Sequence, residues 1–289
     1  MLAPEPQDMT APMDSPAPHR QPTLFIPHGG GPCFFMDPPP QAPHLWDAMA
    51  DYLRGLLAAL PERPKAILMI SGHWETPNPT LNIAPQPGLL FDYDGFPAHT
   101  YRLTYPAEGA PWLAGRVTEL LTAAGETVET DAARGWDHGV FIPMMLIRPE
   151  ADIPILQLSL TDDLDPARHM AIGRALAPLR DEGILIIGSG MSYHNLREFF
   201  APRAAAAAEA FDDWLTRAAE APGERSSALA RWADAPSARA CHPREEHLIP
   251  MMVAAGAAHG EPSRRTFHDH IFAKAVSGFQ FGAPVPTSA

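Results

Sequence analysis

The chain has 289 residues, 46% of them apolar and 19% charged, with a formal net charge of −13. That size and apolar content provide for one α/β domain with an ample core, and the acidic balance excludes non-specific affinity for nucleic acid, whose phosphates attract basic surfaces. No run of about 18 apolar residues occurs, so no membrane span is expected, and two cysteines, Cys33 and Cys241, build no disulfide framework.

Residues 1–20 are rich in proline and lack the basic-then-apolar pattern of a secretory signal. They read as a disordered leader to a catalytic domain over 21–285, with a cytoplasmic location as the default. The pattern then alternates. A strand over 22–27 runs through a glycine-rich loop to a helix over 45–59 and a strand over 66–71. A helix over 110–123, a strand over 126–130 and a short helix over 140–147 precede a strand over 153–159. A helix over 166–180 leads to a strand over 184–188, and helices follow over 201–220, 224–233 and 244–258. Ile67-Leu-Met-Ile70 and Ile184-Leu-Ile-Ile187 lack polar alternation, as strands covered on both faces do. Strands alternating with helices predict an α/β fold: a single domain whose mostly parallel, doubly wound sheet is flanked by helices. Ligands of such sheets bind beyond the carboxyl ends of the strands.

Three of the 13 histidines follow predicted strands: His28, His73 and His194. In His28-Gly-Gly-Gly-Pro32 the glycines let the backbone turn without a Cβ in the way. The segment lacks the Lys-Ser/Thr ending and the glycine spacing of phosphate loops. In Ser71-Gly-His73-Trp-Glu75, Glu75 either orients an imidazole or is a surface carboxylate. In Arg134-Gly-Trp-Asp137-His138, Asp137 is a candidate N-cap, and His138 either donates to a substrate oxygen or serves local backbone groups. Small residues around Gly190-Met-Ser-Tyr193 present His194. In Cys241-His242-Pro243-Arg-Glu245-Glu246-His247, Pro243 suits the first turn of a helix. A cationic histidine is disfavoured there, whereas a neutral, metal-bound His247 avoids the penalty. Cys33 and Cys241 read as small buried residues, with a thiolate ligand as the weaker reading. The other seven histidines, His19, His44, His99, His169, His259, His268 and His270, read as surface or structural.

Taken in order, His28-Gly-Gly-Gly-Pro, Ser71-Gly-His73-Trp, Trp136-Asp-His138-Gly, Gly190-Met-Ser-Tyr-His194-Asn-Leu and His242-Pro-Arg-Glu-Glu-His247 resemble the 4,5-DOPA dioxygenase (extradiol) family. That family belongs with the class III extradiol ring-opening dioxygenases, which include the catalytic subunit of protocatechuate 4,5-dioxygenase. The likeness runs from about residue 22 to 282 and takes in Tyr93-Asp-Gly-Phe-Pro97, Tyr105-Pro-Ala107 and Phe279-Gln-Phe-Gly282. The resemblance implies a mononuclear non-haem Fe(II) site, with Zn(II) as the alternative occupant, held by His28, His73 and His247. Glu246 and His242 stand in reserve for the third ligand. It implies that His194 is the acid–base catalyst or a further ligand, and that His138 hydrogen-bonds substrate or dioxygen. The substrates would be a small-molecule catechol and O2, the product a muconate semialdehyde-type acid, and a homo-oligomer is compatible with the family.

The residue types suit that chemistry. Three facial protein ligands leave three positions open on a non-haem iron, and a nearby histidine transfers protons near neutral pH. Trp136, Tyr193 and His242 are candidate substrate contacts, with Phe34, Phe35 and Trp74 as further aromatic candidates. Arg134, Arg197 or Arg244 would grip a substrate carboxylate if one is present. Two other readings use the same histidines: a Zn hydrolase with Glu75 or Glu246 as base, and a non-catalytic metal-binding relative.

Overall fold

Four parallel strands, three of them buried along their whole length, form the centre of the sheet in a computed structural model that describes residues 20–282. Apart from Arg20, the leader expected over 1–20 therefore lies outside the described residues. In chain order the elements are β1 (Thr23–Pro27), α1 (Asp47–Gly55), β2 (Ala66–Thr76), β3 (Thr80–Asn82), α2 (Pro111–Ala123) and β4 (Glu129–Asp131). Then come α3 (His138–Ile147), β5 (Ile155–Thr161), α4 (Pro166–Leu176), β6 (Ile184–Gly190) and α5 (Ala205–Glu220). The chain closes with α6 (Arg225–Ala230), α7 (Ala238–Cys241), α8 (Ile249–Ala257), β7 (Ser263–Ile271) and β8 (Lys274–Phe281).

The eight strands lie in the order β4-β3-β5-β2-β6-β1-β8-β7. The contiguous block β5-β2-β6-β1 is parallel, as expected, while β3 meets β5 and β8 meets β1 antiparallel. Residues alternate between the faces of β6. A Cβ on Gly188 or Gly190 would meet the carbonyl oxygen of Pro250 or His247 at 2.3 or 2.1 Å, whereas the Ser189 hydroxyl between them reaches Gly139 of α3. So α8 covers one face of the central strands and α3 the other. Both faces being covered, β1, β5 and β6 need no polar alternation, and every residue in them is buried.

The sequence reading missed the β7–β8 hairpin and the short β3. β7 carries Arg264, Arg265, His268, Asp269 and His270 on an edge, where charge blocks further pairing, so it presents no apolar run. Its turn, Phe272-Ala273, has φ of 47° and 62° without a glycine or asparagine, so the usual hairpin signal is absent. The helix expected over 244–258 begins only at Ile249, and Pro250 rather than Pro243 occupies its first turn.

Candidate metal centre

The carboxyl ends of three neighbouring strands, β2, β6 and β1, deliver the site. The His28 amide extends the β1–β6 ladder by donating to Gly190 O at 3.2 Å, and Gly29, at φ +80°, turns the chain away immediately afterwards. His73 was expected just beyond its strand. Instead it lies inside β2, in a bulge where six residues of β2, from Ile70 to Glu75, run against three of β5, from Leu158 to Leu160. Such a bulge re-aims side chains, and here it turns His73 towards the strand ends. His247 sits in the turn before α8, and its carbonyl accepts from the amide of Met191, just beyond β6, at 3.0 Å.

The Nε2 atoms converge: His73 to His28 at 3.3 Å and His73 to His247 at 3.0 Å. The opposite nitrogens fix the tautomers. Pro143 lies inside α3 and has no N–H to give the Gly139 carbonyl four residues earlier. That carbonyl accepts instead from the Ser189 hydroxyl at 2.5 Å, so the hydroxyl oxygen is free to accept from His28 Nδ1–H at 3.0 Å. His247 Nδ1–H donates to Glu246 Oε1 at 2.9 Å. Both Nε2 atoms therefore present lone pairs towards His73, and a single proton on His73 would satisfy only one of them.

A proton is also disfavoured there. Burial, followed by repulsion from neighbouring imidazoles, holds His28 and His247 well below the ordinary histidine pKa. Burial and the adjacent His138 bring His73 down to about 4 against the pull of Asp137 and Asp92. A metal cation resolves the convergence of neutral lone pairs. At metal–nitrogen distances of about 2.1 Å, two nitrogens at right angles stand ~3.0 Å apart, close to the spacings found. The donor set fits a divalent transition metal.

Two further histidines flank the three. The His194 ring stacks on His247 at 3.4 Å between centroids, and its Nδ1 lies 3.0 Å from the same Glu246 Oε1. His138, at the start of α3, places Nδ1 2.7 Å from Asp92 Oδ1, which also accepts its backbone N–H. Asp92 Oδ2 is 3.4 Å from His73 Nδ1. Desolvation raises the pKa of each carboxylate, but hydrogen bonds and charge attraction together outweigh it, from His138 and His73 at Asp92 and from His194 and Arg244 at Glu246, and both are held below their usual values. Ligand atoms of His28, His73 and His138 also lie within 4.8 Å of one another, as do those of His194, Glu246 and His247. In the set joined through Nε2, His73 stands within 3.3 Å of both His28 and His247.

Asp137 is the N-cap residue of α3, but its side chain does not cap. It is fully buried and accepts from Ser71 Oγ and Gln157 Nε2, both at 2.6 Å, and from Arg134 at 3.3 Å. This network braces the bulge that carries His73. Glu75 pairs with Arg244 at the surface. Both thiols are pushed up to about 12 by burial and stay protonated.

A cavity of about 720 Å³ opens beside the cluster, lined by His73, His138, His194 and Tyr193. Trp46, Tyr93, Phe96, Phe199, Phe200 and Phe272 add aromatic walls. Two candidate substrate contacts do not line it. Trp136 is fully buried beside Tyr105, and His242 is fully buried between Phe211 and Trp232, with Nε2 on Ser192 O at 2.9 Å. Phe34, Phe35 and Trp74 also lie off this cavity's lining. Asp92, Ser189 and the Phe199–Phe200–Phe272 cluster escaped the sequence reading. Asp92 directly precedes the Tyr93-Asp-Gly-Phe-Pro97 stretch, the one signal that pointed near it.

The model for the catalytic LigB subunit of aromatic ring-opening dioxygenase matches residues 22–279. The chain belongs to this family. It is 45% identical over 206 residues to the 4,5-DOPA dioxygenase extradiol of Beta vulgaris, covering 70% of this chain and 76% of that one. It is 37% identical over 276 residues to the dioxygenase tasH of Hapsidospora irregularis, covering 90% and 85%. The crystal structure of an uncharacterized Escherichia coli K12 protein superposes with a TM-score of 0.71 at 29% identity, covering 91% of this chain and all of that one. As a family member the protein is a ring-cleaving dioxygenase, and its histidine cluster is the candidate seat of the family's metal. Among the described residues no helix is long and apolar enough to cross a membrane.

Proposed function

We propose that the protein is a non-haem Fe(II)-dependent extradiol dioxygenase that opens the ring of a catechol with O2 to a muconate semialdehyde-type product. The observation that carries this reading is the convergence of His28, His73 and His247 Nε2 atoms beside an aromatic-walled cavity in a chain of a ring-opening family. Held by these three ligands, Fe(II) would supply open positions for both phenolic oxygens and dioxygen; Zn(II) is the alternative occupant as isolated.

The remaining roles follow from hydrogen bonding. Glu246 anchors both the His247 and His194 rings through one oxygen. That contact holds a proton on His194 Nδ1 and leaves Nε2 to accept and return a substrate proton, the acid–base role. Asp92 fixes the His138 ring in the same way, so its free Nε2 is positioned to hydrogen-bond a substrate oxygen. The catalytic pair is therefore His194 and His138. Neither carboxylate needed by a hydrolase is free: Glu75 is held by Arg244, and Glu246 by two histidines. The test is anaerobic Fe(II) reconstitution followed by catechols in air. Yellow semialdehyde absorbance with one O2 consumed per ring supports the reading. Silence across both the carboxylate-bearing catechols (caffeate, DOPA, protocatechuate, gallate and homoprotocatechuate) and uncharged ones (4-hexylcatechol and the phenethyl ester of caffeate), or full activity with Zn(II) in the absence of air, contradicts it.

A further inference from the structure

Among the described residues the cavity beside the histidines has no lysine or arginine in its lining, and its ionisable groups besides histidine, cysteine and tyrosine are Asp37, Asp92 and Asp94. The arginines considered as carboxylate grips are otherwise engaged or remote. Arg134 lies over the Trp74 ring at 4.8 Å and binds His73 O and Asp137. Arg244 is held by Glu75, and Arg197 does not reach the lining. Residues 1–19 and 283–289 contain no lysine or arginine. A substrate carboxylate here would meet apolar walls and like charge, an uncompensated burial that costs several kcal/mol.

The mouth is apolar as well. Leu196 and Phe200, both lining the cavity, are 67% and 73% exposed. Phe200 and Phe199 pack on Phe272 with ring centroids 4.9 and 5.7 Å apart. Phe272 reaches them from a left-handed backbone position, φ 47°, which bulky side chains rarely adopt and which costs of order 1–3 kcal/mol. The hairpin turn thus carries, where glycine or asparagine is usual, an aromatic ring that lines the cavity. A volume of about 720 Å³ falls in the range of pockets for drug-sized ligands and exceeds the needs of one catechol ring.

From these observations we infer that the substrate is an uncharged catechol bearing a bulky apolar substituent, with the diol at the histidines and the substituent against Phe199, Phe200 and Phe272. This rests on the ring-opening reading above and adds the substrate class to it.

The test compares matched pairs on the Fe(II)-reconstituted protein: 3,4-dihydroxycinnamic acid against its phenethyl ester, and DOPA against 4-hexylcatechol. Binding is measured calorimetrically without air, and turnover in air. The uncharged partner should bind and turn over about tenfold or more better in each pair. Leu196→Arg, on the exposed rim, should narrow that gap by restoring a cation. Phe272→Asn should relieve the turn and raise KM several-fold more for the ester than for the acid. Equal or better binding and turnover of the acids would overturn the inference and leave ring opening intact. Preferential binding of the uncharged partners without ring opening of any would support the inference and remove the ring-opening reading. No binding of either uncharged catechol would overturn the inference.

Discussion

Ser189→Ala isolates the link between fold and metal site. The Ser189 hydroxyl is fully buried, accepts from His28 Nδ1 at 3.0 Å and donates to Gly139 O at 2.5 Å. Alanine leaves both partners buried and unpaired, at roughly 1–3 kcal/mol each. The Gly139 carbonyl lacks the usual helical donor, because Pro143 stands where that N–H would be. Stability should therefore fall by about 2–6 kcal/mol. Metal affinity should fall a further ~10–100-fold, the usual effect of removing a group that orients a ligating histidine. Thr23→Val is the control: Thr23 is fully buried and donates to Ala254 O at 2.6 Å on the other side of β1, so it should lose stability with no change in metal affinity. Thermal unfolding of the apoproteins and chelator-competition titration with Fe(II) or Zn(II) separate the two losses. A folded Ser189→Ala protein with unchanged metal affinity would refute the assignment of His28 as a ligand.

Gly190→Ala would set a Cβ 2.1 Å from the His247 carbonyl oxygen, so it should shift the turn that presents His247; metal content after reconstitution should drop well below one per chain, and a fully loaded variant would sink this reading. His194→Ala should keep most of the iron while abolishing turnover, and loss of the metal as well would make His194 a ligand. Stability of the apoprotein should depend on pH in the acid range. Burial lowers His242 from 6.5 to about 4. A histidine pKa depressed on folding contributes stability that is complete above pH 6.5 and drains as pH falls towards 4, about 3 kcal/mol for this residue. His28, His73 and His247 act in the same direction. Urea midpoints that stay flat between pH 7 and 4.5 would contradict the burial of neutral imidazoles.

The central strands and their order of appearance were legible because burial on both faces removes polar alternation, leaving Ile67–Ile70 and Ile184–Ile187 as plain apolar runs. The site histidines were legible because each stands beside glycine, proline or small residues at a strand or helix end. What stayed hidden depends on contacts distant in sequence. Asp92 reaches His138 across 46 residues and Ser189 reaches His28 across 161, and nothing local marks either. Trp136 and His242 sit in the right motifs, yet tertiary packing turns them into the core. The β7–β8 turn was silent because it places phenylalanine and alanine where glycine or asparagine is the usual sign.

The most direct measurement for the central claim is an anomalous difference map from crystals of the Fe(II)- or Zn(II)-reconstituted protein, collected at the metal edge. One peak per chain bounded by the Nε2 atoms of His28, His73 and His247, with His194 and His138 outside bonding distance, is the result expected. A peak held by His28, His73 and His138, or by His194, Glu246 and His247, would contradict the ligand set and the roles built on it.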